Sequence, residues 1–264
     1  MPTYQLILEY DGTEFHGWQQ QADTRTVAGV VADSLRRLTG EDVAMTAAGR
    51  TDAGAHAHGQ VVGVSLQRGW DPAALRAALN ASLPPDVAVV DALLRENGFH
   101  ARRDALDRTY RYLIVSRGER APVLRRHAWI VRGALHVRAM RTAARHLIGT
   151  HDFAAFGSAT HRGGSTVRTV HEIGIDHNVF ASTEDGPAFD TYAVSVRADA
   201  FLRGMMRAFA GALVRVGQGR AAPSWLAEIL AGSERSPSLT PAPAHGLHQW
   251  SVRYGPYTLR RAAT

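Results

Sequence analysis

The chain has 264 residues, 45% hydrophobic and 20% charged, which is enough apolar material for one large or two small globular cores and excludes disordered and collagen-like classes. Thirty basic against 24 acidic residues leave a net charge of +6, so an anionic partner is the first expectation. Cysteine and lysine are both absent, which excludes disulfide scaffolds, thiolate chemistry, a Schiff-base lysine and the lysine-ended phosphate loop.

In chain order, Tyr4 to Tyr10 reads as a strand, and Val27, Val30, Val31, Leu35 and Leu38 share one helical face that ends at Gly40. A short strand-like piece covers Val43 to Ala48, and a further strand covers Gln60 to Leu66. Asp71 and Pro72 open a helix carrying Leu75 and Leu79, with Asp as N-cap and Pro at the first helical position. Pro84 and Pro85 stop the chain before a strand from Val87 to Leu94. The same order then recurs. Strand Thr109 to Ser116 leads to a helix from about His136 to Ile148, and strands follow near Val167 to Asn178 and Phe189 to Ala198. A long helix Phe201 to Val216, a short one Trp225 to Leu230 and a closing strand His248 to Tyr254 complete it. The reading is an α+β fold of two ferredoxin-like (βαββαβ) halves, 1–106 and 107–264, with mostly antiparallel sheets, helices on one face and the other face left to hold a ligand.

No basic segment leads into an apolar stretch at the N-terminus, and no run of eighteen apolar residues occurs, so a soluble cytoplasmic protein without a membrane partner is expected. Charge is uneven: Ala101 to Arg145 holds twelve arginines against three acids, +9, leaving −3 for the remainder. Arginine forks onto phosphate and stacks on bases, and Tyr110, Tyr112 and Trp129 lie in the same stretch as stacking faces, a pattern suited to a polyanion. Solvated helix and strand faces are the plainer alternative. The all-arginine bias itself is also explained by genome composition.

Gly217-Gln218-Gly219-Arg220-Ala221-Ala222 matches the dinucleotide pattern G-x-G-x-x-A, but a helix precedes it and Pro223 follows, so it reads as a helix end and turn. His56 and His58, with Asp52, could form a metal site of a hydrolase, although no supporting His and carboxylate cluster accompanies them. No G-x-S-x-G elbow is present. Ala48 to Val61 has three glycines within eleven residues around one carboxylate, Asp52, placed just before a strand. By itself that Asp reads as a turn-former bonding its own backbone.

Gly49-Arg50-Thr51-Asp52-Ala53-Gly54, with His56 and Gly59-Gln60-Val61, resembles the catalytic loop of the tRNA pseudouridine synthases that modify positions 38 to 40 of the anticodon stem-loop. Further landmarks resemble the same family in the same order. They are Glu9-Tyr10-Asp11-Gly12 with Gly17-Trp18-Gln19, Phe99-His100-Ala101-Arg102 with Tyr110-Arg111-Tyr112, Phe201-Leu202-Arg203 through Met205 and Arg207 to Gly211, and Ala242 to Leu247. The resemblance implies Asp52 as nucleophile, Tyr110 against the target uracil, Arg207 paired with Asp52, and RNA contacts from Arg50, Arg25 and Arg203. It also implies an active-site cleft between the halves, a homodimer, tRNA as partner, and neither cofactor nor metal. Gly204, Met206 and Ala208 depart from the family's usual residues, and Ala55 stands for a valine. An RNA-binding protein without catalysis is the remaining alternative.

Overall fold

The computed structural model describes residues 1–161, 163–181, 188–232 and 239–255. Among them the fold is mixed α+β, with ten mostly antiparallel strands and five α-helices, and no helix is long and apolar enough to cross a membrane. The chain divides into two compact units: one holds Met1–Arg108 with the described residues from Gln249 onward, the other Thr109–His248.

The first unit contains β1 (Thr3–Tyr10), α1 (Val27–Thr39), β2 (Met45–Ala47), β3 (His56–Ser65), α2 (Pro72–Ser82) and β4 (Val87–Arg95). Most of β10 (Leu247–Tyr254) also belongs to it, and the strand order is β4-β1-β3-β10 with β2 on β3. β1 pairs antiparallel with both β3 and β4. Alternation along β1 and β3 sends Tyr4, Leu6, Leu8, Val62 and Val64 to one face, where Val27, Val31 and Leu35 of α1 and Leu75 and Leu79 of α2 complete the core. The helices begin as their sequence dictates. Thr26 caps α1 by accepting from the Gly29 amide, and Asp71 caps α2 by accepting from the Ala74 amide, each such cap contributing about 1 kcal/mol. Gly40 closes α1 at φ 74°, in the left-handed region that glycine enters without strain.

The opposite face of this sheet is not bare. Ala48, Val61 and Ala101 form a second apolar cluster there with Ile7, Phe99, Val252 and Tyr254. The sequence boundary at 106/107 assigned the closing strand to the second half; the described residues from Gln249 onward belong with the first, because β10 packs directly on β3. A Cβ on Gly59 would lie 2.6 Å from the Trp250 carbonyl oxygen, so the two main chains approach as closely as glycine permits.

The second unit contains most of β5 (Ala105–Ser116), then β6 (Trp129–Val131), α3 (Val137–Arg145), β7 (Gly149–Asp152), β8 (Val167–Ala181), β9 (Ala188–Ala198), α4 (Met205–Gly217) and α5 (Trp225–Ala231). Its strand order is β5-β9-β8-β7, with β6 parallel on β5 and β8 antiparallel to both β7 and β9. Phe153, Phe156 and Phe209 meet edge to face at 5.1 to 6.1 Å between ring centres, fastening α4 onto the segment after β7. The Gly217 pattern is a helix end, as its flanks indicated: α4 stops at Gly217 and Gly219 turns the chain at φ 70°.

Candidate active site

The segment from Ala48 to Ala55 leads from β2 into β3, and its main chain is held at nearly every residue. The Ala48 amide donates to Val61 O at 2.9 Å, and Gln60 Nε2 donates to Gly49 O at 2.8 Å. Thr51 shares a buried 2.8 Å hydroxyl contact with Tyr10 and accepts at its carbonyl from the Trp18 amide. The Gly54 amide donates to Phe15 O, and the Ala55 amide donates back to Asp52 O in a main-chain turn. The loop of residues 11–18 therefore lies directly against the Asp52 loop. Two glycines make that approach possible: a Cβ on Gly12 would fall 1.9 Å from Ala55 O, and one on Gly17, already at φ 87°, would fall 2.7 Å from Thr51 O.

Asp52 emerges half-buried from this rigid platform. Arg50 is exposed beside it. Arg25 makes a bidentate ion pair with Asp86 at 2.7 and 2.8 Å and lies over the Phe15 ring at 4.0 Å, and that pair raises its pKa above the usual arginine value. The His16 amide donates to Arg25 O, so Arg25 is fixed to the same loop that supports Asp52. The two histidines do not gather with Asp52 as one ligand set. Buried His56 places Nδ1 3.1 Å from the Gly12 amide nitrogen and 3.1 Å from Asp11 Oδ1, whereas exposed His58 faces Glu9 at 3.4 Å and the Trp250 ring at 4.6 Å.

Tyr110, Arg203 and Arg207 belong to the second unit. Tyr110 is buried on β5, with its ring edge-on to Phe201 at 4.7 Å. Arg203 is exposed, and its main chain bridges Ser158 in both directions. Arg207 lies in the first turn of α4, where Nε donates to Ala242 O at 2.7 Å while the Ala242 amide donates to Arg207 O at 2.9 Å. One turn further on, a Cβ on Gly211 would fall 2.1 Å from Thr240 O, so the late helix and the loop before β10 form one tight contact. The family departures have a local cause: Gly204 precedes α4 at φ 78°, and the Met206 and Ala208 side chains are buried inside the unit.

The basic stretch does not act as a whole. Arg108 is buried and spends its guanidinium on the carbonyls of Ala48, Ala105 and Arg102, and Arg141 donates to Ile175 O. Tyr112, read as a stacking face, is fully buried on the same face of β5 as Tyr110 and Ile114, with its hydroxyl donating to Pro243 O and Gly246 against its ring. Burial pushes the Tyr112 phenol far above its usual pKa, and the nearby Arg207 charge offsets part of that rise. Since the folded-state pKa is the higher, this contribution to stability is complete below about pH 10 and is lost as pH rises toward the folded value, at about 1.4 kcal/mol per pH unit. Denaturant melts between pH 9 and about 11 are expected to show this loss, and Tyr112→Phe to show a shallower slope. An identical slope in the variant would assign the alkaline loss to other groups.

Sequence reasoning passed over Gln60, Gln249 and Arg108 as parts of the site's support. Gln60 and Gln249 are both fully buried, and only an uncharged amide inside an apolar strand pattern could have signalled them.

The family model described as tRNA pseudouridine synthase matches residues 6–102 and 143–255. A tRNA pseudouridine synthase A from Myxococcus xanthus is 41% identical over 254 residues, covering 96% of this chain and 92% of the relative. Proteins of the same name from Geobacter sulfurreducens (41% identical, 96% and 100% covered) and Methylobacterium radiotolerans (40%, 97% and 99%) align over similar spans. The pinned aspartate loop and the helix bearing Arg207 both lie inside the matched segments, and the match runs through both compact units: the chain belongs to the tRNA pseudouridine synthase family.

Proposed function

We propose that the protein isomerises uridine to pseudouridine in tRNA, at positions 38, 39 and 40 of the anticodon stem-loop. The observation that carries this reading is the near-full-length match, at about 40% identity, to relatives named tRNA pseudouridine synthase A. Neither a binding-only protein nor a metal-dependent hydrolase is favoured by that match.

In the reaction the N1–C1′ bond breaks, the uracil turns, and a C5–C1′ bond forms, with a proton lost from C5 and one taken up at N1. No electrons are exchanged and no water is consumed, so the chemistry calls for neither cofactor nor metal. Asp52 is assigned the carboxylate that meets the sugar or base as the glycosidic bond breaks, where developing positive charge favours an anion. Arg207 is assigned the guanidinium that pairs with this carboxylate in the reaction. Tyr110 is assigned the face against uracil and assistance in removing the C5 proton. The target base must leave the stem at a cost of a few kcal/mol, offset by phosphate contacts from arginines, among them Arg50, Arg25 and Arg203. Two ferredoxin-like halves, a homodimeric assembly and a cytoplasmic location complete the proposal.

Incubating tRNA with the pure protein and mapping the anticodon-arm nucleosides before and after tests the reading: new pseudouridine at 38 to 40 is expected, and an unchanged map overturns it. If phosphate contacts carry affinity, log Kd should rise steeply with log salt, weakening binding by about a thousandfold between 50 and 200 mM for six or more contacts. A flat plot would remove the arginines from binding.

A further inference from the structure

Two consecutive carbonyls, Ala48 O and Gly49 O, stand immediately before Arg50-Thr51-Asp52, and each accepts from a buried side chain. Arg108 Nε and Nη2 donate to Ala48 O at 3.3 and 3.2 Å. Gln60 Nε2 donates to Gly49 O at 2.8 Å. Gln60 is itself held in that orientation: its Oε1 accepts from the Val61 amide at 3.1 Å and from Gln249 Nε2 at 3.0 Å. A side-chain amide has two possible orientations, and only one presents the NH₂ group to Gly49. The two donors that fill Oε1 select it. Both glutamines have no accessible surface, so water cannot substitute for a lost partner without rearrangement.

We infer that Gln249, acting through Gln60, is a positioning residue for Asp52: it fixes the Gln60 amide on Gly49 O and thereby the start of the loop that presents the carboxylate. The inference rests on the assignment of Asp52 given above. It gives the return of the closing strand to the first unit a role, since Gln249 is the first residue of β10 grouped there and reaches Gln60, 189 positions earlier in the sequence. A loop carrying a reacting carboxylate needs this support, because misplacement by about 1 Å can cost a hundredfold in rate while leaving distant binding contacts untouched.

The test uses the full chain with two substitutions. Gln249→Met fills the space but donates nothing, and it is expected to lower kcat at least about tenfold with KM and tRNA affinity unchanged, and to speed hydrogen exchange at the Gly54 and Ala55 amides. Gln249→Glu should work while its buried carboxyl is protonated, because the O–H then donates to Gln60 Oε1. As pH rises and it ionises, the carboxylate draws the Gln60 NH₂ group away from Gly49 O, so kcat relative to the parent should fall with pH at constant KM. This second variant, assayed on the folded fraction at pH 6 and 8, also decides the matter should Gln249→Met fail to fold. Parental kcat and amide exchange in folded Gln249→Met, or a pH-independent ratio in Gln249→Glu, would overturn the positioning role. A parent inert on tRNA would instead overturn the proposed activity, while exchange at the loop amides still judges the positioning.

Discussion

Asp52→Asn is expected to bind tRNA with parental affinity and to lose turnover by at least about a thousandfold. The substitution keeps the shape of the side chain and removes only its charge. The loop that carries it is fixed through main-chain groups and Thr51: Trp18 N donates to Thr51 O, Gly54 N to Phe15 O and Gln60 Nε2 to Gly49 O, and the Tyr10 and Thr51 hydroxyls share a hydrogen bond. Those ties survive the change, so the amide should be presented where the carboxylate was. An amide cannot form the bond to carbon or stabilise the positive charge that the proposed chemistry requires, so kcat should fall while phosphate contacts hold affinity. Single-turnover rate and tRNA affinity measured on one preparation check this. Turnover near the parent's would remove Asp52 from the mechanism, and lost affinity would make it a binding or structural residue.

Gly12→Ala should be nearly as severe, through geometry. Gly12 is buried, and its added methyl would lie 1.9 Å from Ala55 O and 2.6 Å from Ala55 C, both main-chain atoms with no rotamer to move aside. Either the loop of residues 11–18 or the one carrying Asp52 must shift by more than an ångström, breaking the contacts that join Phe15 to Gly54 and Trp18 to Thr51. Overpacking of this kind costs about 3 kcal/mol, and a displaced Asp52 adds a rate loss of about a hundredfold. Thermal unfolding and turnover of the folded fraction measure the two parts. A variant with parental melting and parental rate would show that the two loops can separate freely.

The elements legible in the sequence are those whose causes are local. β1, α1 with its Gly40 end, and α2 with its Asp71 and Pro72 start follow from alternation, helical periodicity and capping within a dozen residues. Where local signals were misleading, a specific residue explains it. The helix expected from Phe201 starts at Met205, because Gly204 adopts φ 78° and breaks the chain before it. β3 begins at His56 and not at Gln60: Ala-His-Ala-His-Gly alternates only small alanines with histidines, too weak an apolar signal to register, although its pairing to β1 reaches Ala57. β6 and β7, of three and four residues, are too short for any period to register.

The candidate site divides in the same way. Asp52, Tyr110 and Arg207 are singled out by family motifs, which record residue identity at fixed spacing, and their roles rest on the proposal above. What surrounds them was not. Arg108 reads as one more charge in a basic stretch, yet it is buried against the Ala48 carbonyl, because a strand alternation that buries Tyr110 and Tyr112 also turns a neighbouring guanidinium inward. Gln249 carries no signal at all until β10 sets it beside Gln60.

Composition, periodicity and motif order by themselves determined the α+β class, the main helices and the family, since each is written in neighbouring residues. Only the tertiary structure decided which glycines must stay bare, which arginine is a strut, and which glutamines hold the aspartate loop. Those depend on atoms meeting across separations of about 30 to 190 residues, and no local pattern encodes the distance between them.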